Sequence, residues 1–125
     1  MKKEALILVV DDNPDTLELT ALRLRMEGFE VIEARNGGKA LKLLNERRPD
    51  LILTDIMMPE VDGLELIRRL RATPELSDIP IVIITAAKMR QQAVTSAAVA
   101  SLTKPLDLMA LVREVKRALP SLAAA

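Results

Sequence analysis

Five short apolar runs punctuate the chain, at Ala5–Val10, Phe29–Ala34, Leu51–Thr54, Ile81–Ile84 and Ala100–Thr103. Each is too short for a free-standing helix and predicts a strand. Between them, apolar residues recur at helical spacing: Leu17, Ala21 and Leu24; Ala40, Leu43 and Leu44; Leu64, Ile67 and Leu70. A fourth series, Leu108, Leu111, Val112, Val115 and Leu119, follows the fifth run. Punctuation falls at the same boundaries. Asn13-Pro14 supplies a cap and a first-turn proline, Gly28 stands where the first helix should stop, and Pro49-Asp50 and Pro80 precede the third and fourth strands.

Strand and helix alternate throughout, which predicts an α/β fold: parallel strands need crossover connections, and those are right-handed. The almost unbroken hydrophobicity of Leu6–Val10, Leu51–Leu53 and Ile81–Ile84 fits strands buried on both faces. The expected architecture is a (βα)5 doubly wound sheet, flavodoxin-like, with strand order 2-1-3-4-5. At 125 residues, half of them hydrophobic, residues 1–125 are read as one domain with an ordered core over about 4–119 and a tail at 120–125.

Composition narrows the chemistry. Lysine plus arginine and aspartate plus glutamate both number 18, so no global field draws the chain to nucleic acid or an anionic membrane. Without cysteine or histidine there is no disulfide, thiolate, imidazole triad or zinc site, so any metal must take oxygen ligands. Phe29 is the single aromatic residue, too few for a base-stacking platform. Met1-Lys2-Lys3 ahead of Ala5–Val10 looks faintly like a secretory leader, but the apolar run ends at Asp11-Asp12, short of the length needed. A cytoplasmic chain with no membrane and no direct nucleic-acid contact is expected.

The positions of five polar residues carry the functional signal. Asp11 and Asp12 follow the first run, Asp55 the third, Thr85 the fourth and Lys104 the fifth. All five therefore fall at carboxyl ends of strands, the edge where open parallel sheets bind ligands. Singly, each has an ordinary structural use, as a turn former, helix cap, buried strand residue or solvated lysine. Together they converge. Three carboxylates in one small volume need compensation, because each raises the pKa of the others. A hard divalent cation and Lys104 provide it; Mg²⁺, which takes one or two carboxylates and keeps waters, suits the set better than Ca²⁺.

Four motifs then match a known family: Val9-Val10-Asp11-Asp12-Asn13; Leu53-Thr54-Asp55-Ile56-Met57-Met58-Pro59 with Asp62-Gly63; Ile84-Thr85-Ala86; and Leu102-Thr103-Lys104-Pro105. In this order and near-family spacing, the chain resembles a receiver domain of two-component response regulators, of the stand-alone chemotaxis type. The resemblance implies that Asp55 accepts a phosphoryl group from the phosphohistidine of a sensor histidine kinase or histidine phosphotransfer protein. It implies Mg²⁺ held by Asp12, Asp55 and the Met57 backbone carbonyl, with Asp11 helping through water. Thr85 would donate to a phosphoryl oxygen, and Lys104 would pair with the phosphate or with Asp55. Lys104-Pro105 would be a cis peptide, which proline permits. Pro59 and Gly63 bracket the acceptor loop, and Gly63 is expected to supply backbone angles closed to other residues.

Departures from the family pattern bear on output. The aromatic residue common three positions before the lysine is Ser101 here, and the stretch from Thr85 to Lys104 is short, with Ala97-Ala98-Val99-Ala100 replacing a glycine and an acidic pair. A short or displaced fourth crossover helix is expected, with the relay running through backbone and loop shifts. Met57 and Ala87, two positions after Asp55 and Thr85, cannot hold a water by a useful hydrogen bond, which predicts slow self-dephosphorylation. The chain reads as a switching module rather than a turnover enzyme, a monomer or weak homodimer acting on an unknown downstream protein. Competing readings are a flavin or nucleotide binder, which lacks its glycine-rich loops and ring-stacking aromatics; an aspartyl phosphatase, which lacks a second acid at Met57; and a degenerate receiver used only for docking.

Overall fold

A computed structural model describes residues 4–56, 58, 61–86 and 100–119. Five parallel strands, β1 (Leu6–Val10), β2 (Glu30–Ala34), β3 (Leu51–Asp55), β4 (Ile81–Thr85) and β5 (Ala100–Thr103), form one sheet in the order β2-β1-β3-β4-β5. The described helices are α1 (Pro14–Met26), α2 (Gly37–Leu44), α3 (Gly63–Arg71) and α4 (Leu108–Ala118). This is the expected α/β, flavodoxin-like arrangement. The crossover between β4 and β5, where a short or displaced helix was expected, lies outside the described residues.

Alternation along each strand divides the core in two. Leu8, Val10, Ile52, Ile81 and Ile83 face one side and pack with Ala40 and Leu44 of α2 and Leu66, Ile67 and Leu70 of α3. Ile7, Val9, Leu51, Leu53, Val82 and Ile84 face the other, against Leu17, Ala21 and Leu24 of α1 and Leu111 and Val115 of α4. β1, β3 and β4 are buried along their full length. The edge strands are not: β2 exposes Glu30 and Glu33, and β5 is partly open throughout. Charged residues on an exposed edge disfavour pairing with another sheet.

Each described helix starts on a side-chain cap. The Asn13, Asn36, Asp62 and Asp107 side chains accept from backbone N–H groups of the first turns of α1, α2, α3 and α4. α1 ends as Gly28 predicts. Gly28, at φ 94°, donates to the Arg25 carbonyl, and Phe29 donates to that of Leu24, the paired bonds of a Schellman motif. At the amino edge of the sheet, Asp50 holds the start of β1 twice: its N–H donates to the Leu6 carbonyl at 2.7 Å and its carboxylate accepts from the Leu6 N–H at 2.8 Å.

Candidate functional site

The five residues singled out from the sequence do meet at the carboxyl edge of the sheet. Asp11 directly follows β1 and Lys104 directly follows β5, whereas Asp55 and Thr85 are the last residues of β3 and β4 rather than the residues after them. That shift fixes their backbones in the ladder: Asp55 is in register with Ile84, and Thr85 with Thr103. The Lys104 N–H donates to the Thr85 carbonyl at 2.8 Å, so the lysine is held by the end of β4. Lys104-Pro105 is a cis peptide.

Lys104 Nζ donates to Asp55 Oδ2 at 2.8 Å and lies 3.5 Å from Asp11 Oδ2. The other Asp11 oxygen accepts from the Asn13 N–H at 2.9 Å, a two-residue turn that aims the carboxylate across the sheet edge. Asp11 and Asp55 are buried, while Asp12 is exposed. Burial pushes the Asp11 carboxyl above its usual range, against the lowering effects of the Asn13 N–H and Lys104. For Lys104 burial is the largest single influence and lowers its pKa, but the Asp55 hydrogen bond and the charges of Asp11 and Asp55 together raise it.

One carboxylate oxygen from each of Asp11, Asp12 and Asp55 lies within 4.8 Å of the others. Three carboxylates facing one ammonium leave two negative charges when ionised, the charge a divalent cation balances. An all-oxygen set with two buried members and one exposed member suits Mg²⁺, which binds through few carboxylates and keeps water on its open side. Beside this set sits Thr85, 1% exposed, whose hydroxyl has no hydrogen-bond partner among the described residues. A buried hydroxyl without a partner costs about 1–3 kcal/mol, so its position calls for an acceptor from outside the chain.

Gly63 fits beside Asp55 for a reason other than the one its sequence position suggests. It opens α3 with no positive φ; what it lacks is room, because an added Cβ would collide with the Asp55 carbonyl and come within 2.8 Å of Ile56 Cα. Its N–H donates to the Ile56 carbonyl at 2.9 Å. Close backbone approach, not dihedral freedom, requires glycine there. Met57, Pro59 and Ala87 lie outside the described residues, as do Ala97, Ala98 and Val99. Ser101 lies within β5, opposite Ile83 and partly buried.

The family description "response regulator receiver domain" matches residues 7–116, nearly the whole chain. The chain belongs to that family. This receiver domain is 35% identical over 113 residues to the polar-differentiation response regulator DivK of Brucella anthropi, covering 88% of this chain and 92% of that one. It is 37% identical, over 88% of its length, to the DNA-binding dual master transcriptional regulator RpaA of Synechocystis, but spans only 47% of that protein. Among solved structures, the receiver domain of the sensor histidine kinase PA1611 from Pseudomonas aeruginosa superposes with a TM-score of 0.87 at 28% identity, over 94% of this chain and 99% of that one. That structure holds a magnesium ion in its active-site cleft.

Two contributors to this receiver's site were missed in the sequence. Asn13 was read as a helix cap and as the end of the first motif, not as the residue whose N–H orients Asp11; the Asp-x-Asn spacing was the available signal. Gly37, at the start of α2, is pressed by Val61 of the loop after β3, and its Cβ would lie 2.7 Å from Val61 Cβ. No local pattern announces that contact, which joins segments distant in sequence.

Proposed function

We propose that Asp55 of this receiver domain accepts a phosphoryl group from the phosphohistidine of a sensor histidine kinase or histidine phosphotransfer protein, in a reaction that needs Mg²⁺. The observation that carries the reading is the Asp55 carboxylate at a strand end, with Lys104 Nζ at 2.8 Å and the unpartnered Thr85 hydroxyl at the end of the next strand. An Asp55 oxygen forms the new P–O bond as the donor's P–N bond breaks, its electron pair returning to the imidazole and leaving an acyl phosphate. Charge in such a transfer gathers on the equatorial phosphoryl oxygens, so positioned cations and donors do most of the catalysis. Lys104 is one such cation, and the Thr85 hydroxyl gains the acceptor it lacks. Asp12, Asp55 and the Met57 carbonyl, with Asp11 helping through water, would hold Mg²⁺, which would supply charge to neutralise the phosphoryl group.

The docking-only alternative gains no support, since its usual mark is loss of the acceptor or the lysine and here the two are in contact. In this reading the domain works in the cytoplasm as a switch rather than a turnover enzyme, and its output passes to another protein or domain through backbone and loop shifts, Ser101 being no aromatic switch. With Met57 and Ala87 at the positions that tune hydrolysis, the acyl phosphate should outlast seconds. Incubation with acetyl phosphate, with and without Mg²⁺, followed by intact mass, tests the core of the proposal. A Mg²⁺-dependent adduct of one phosphoryl group, absent in Asp55→Asn, is expected; an equal adduct in that variant refutes it.

A further inference from the structure

The residue ahead of the acceptor, Thr54, is buried in the middle of the sheet at 1% exposure. It lies in register with Val10 of β1 on one side and Ile83 of β4 on the other, both members of the core layer that packs against α2 and α3. Valine would fill such a place with nearly the same shape and no polar atom to desolvate. Thr54 keeps a hydroxyl there, and that hydroxyl donates to the backbone carbonyl of Asp55 at 3.0 Å. The position of this carbonyl decides where the chain goes next. Two peptide groups separate the Asp55 α-carbon from Met57, and each has its carbonyl held: that of Asp55 by the Thr54 hydroxyl, that of Ile56 by the Gly63 N–H at 2.9 Å. Only two dihedrals per residue are soft, and rotation about the Asp55 Cα–C bond swings its carbonyl and everything after it. The backbone before that bond is already fixed by the pairing of Asp55 with Ile84. A hydrogen bond to the Asp55 carbonyl therefore sets the direction in which the chain leaves the acceptor.

We propose that Thr54 is a positioning residue for the metal site: its hydroxyl fixes the Asp55 carboxylate relative to the backbone that supplies the Met57 carbonyl, so that both can reach one Mg²⁺. This role rests on the Mg²⁺-dependent phosphoryl transfer proposed above and adds to it a side chain that touches neither metal nor phosphoryl group. Mg²⁺ demands near-ideal octahedral geometry, so a loosened peptide between two of its ligands is felt as lost affinity even where the fold is intact. Gly63 holds the second peptide, but an added Cβ there would collide with the Asp55 carbonyl, so its substitution cannot separate orientation from crowding. Substitution of Thr54 can. Thr54→Val removes the hydroxyl and keeps the shape, while Thr54→Ser keeps the hydroxyl and removes a buried methyl.

Titration of the full chain with Mg²⁺, followed by amide shifts in NMR, gives the dissociation constant of each variant, and urea unfolding in chelator gives its stability. Affinity should follow the hydroxyl and stability the methyl, so the two variants should rank in opposite orders. Thr54→Val should bind Mg²⁺ about tenfold more weakly than wild type, the usual effect of losing a group that orients a metal ligand. Thr54→Ser should bind as wild type does, yet be the less stable of the two variants, because it leaves a cavity the size of a methyl group. Wild-type affinity in Thr54→Val overturns the proposal, since the hydroxyl would then position nothing. Binding in Thr54→Ser as weak as in Thr54→Val, or weaker, also overturns it, because packing by the methyl would then be responsible. A wild type that binds no Mg²⁺ fails earlier: it removes the metal-dependent function, and the role of Thr54 with it.

Discussion

Thr85 keeps a hydroxyl buried with no partner, at a cost that a valine would avoid. Thr85→Val should therefore stabilise the metal-free protein by about 1 kcal/mol in urea unfolding, while weakening its response to a phosphoryl mimic such as beryllofluoride. Equal destabilisation would mean that the hydroxyl already has a partner. Gly63→Ala runs the other way. Its methyl would strike the Asp55 backbone, which cannot move without disturbing both β3 and α3, and a loss of about 3 kcal/mol is expected. Gly63 also shows where reading the sequence stops. Its presence beside the acceptor was legible, and its reason was not, because the close approach of two backbone segments in space leaves no periodic signal. Asp11, Asp12, Asp55, Thr85 and Lys104 were legible for the opposite reason: strand ends can be counted, and a parallel sheet puts those ends together.

Helix boundaries were legible wherever a residue forces them. Gly28 closes α1 with positive φ and has nothing within 4 Å of an added Cβ, so a substitution there isolates the dihedral cost. Gly28→Ala should lower stability by about 1–2 kcal/mol, with no change in phosphorylation, and D-alanine introduced by semisynthesis should restore it. A full loss in the D-alanine protein would point to crowding instead. α3 was less readable. Asp62 and Glu65 have the spacing of a reciprocal capping pair, but only Asp62 caps; Glu65 pairs with Arg68 and Arg69, whose hydrogen bonds hold its carboxyl at about 2. Competition from two arginines one turn on decides between those outcomes.

For the whole molecule, the order of the sheet and its two-sided core followed from short apolar runs alternating with helical spacing. The unequal exposure of the three aspartates did not, since it depends on where the chain turns after β1. That inequality sets a pH dependence. A carboxyl whose folded pKa is raised, as for Asp11, favours the folded state at low pH, and this contribution is lost as pH rises through the folded value. In chelator, Asp11→Asn should thus match wild type near pH 3 and be the more stable of the two at pH 7. Added Mg²⁺ should reverse that ranking at pH 7, as read by thermal melts. If the variant is the less stable at pH 7 without metal, burial is not what governs Asp11. The double clasp of Asp50 on Leu6 has a practical consequence. It anchors the start of β1 at the edge opposite Asp55, about 15 Å away along the strand. A reporter, bead or sensor chip attached ahead of Ala5 would therefore leave the acceptor edge facing outward, open to a donor in solution.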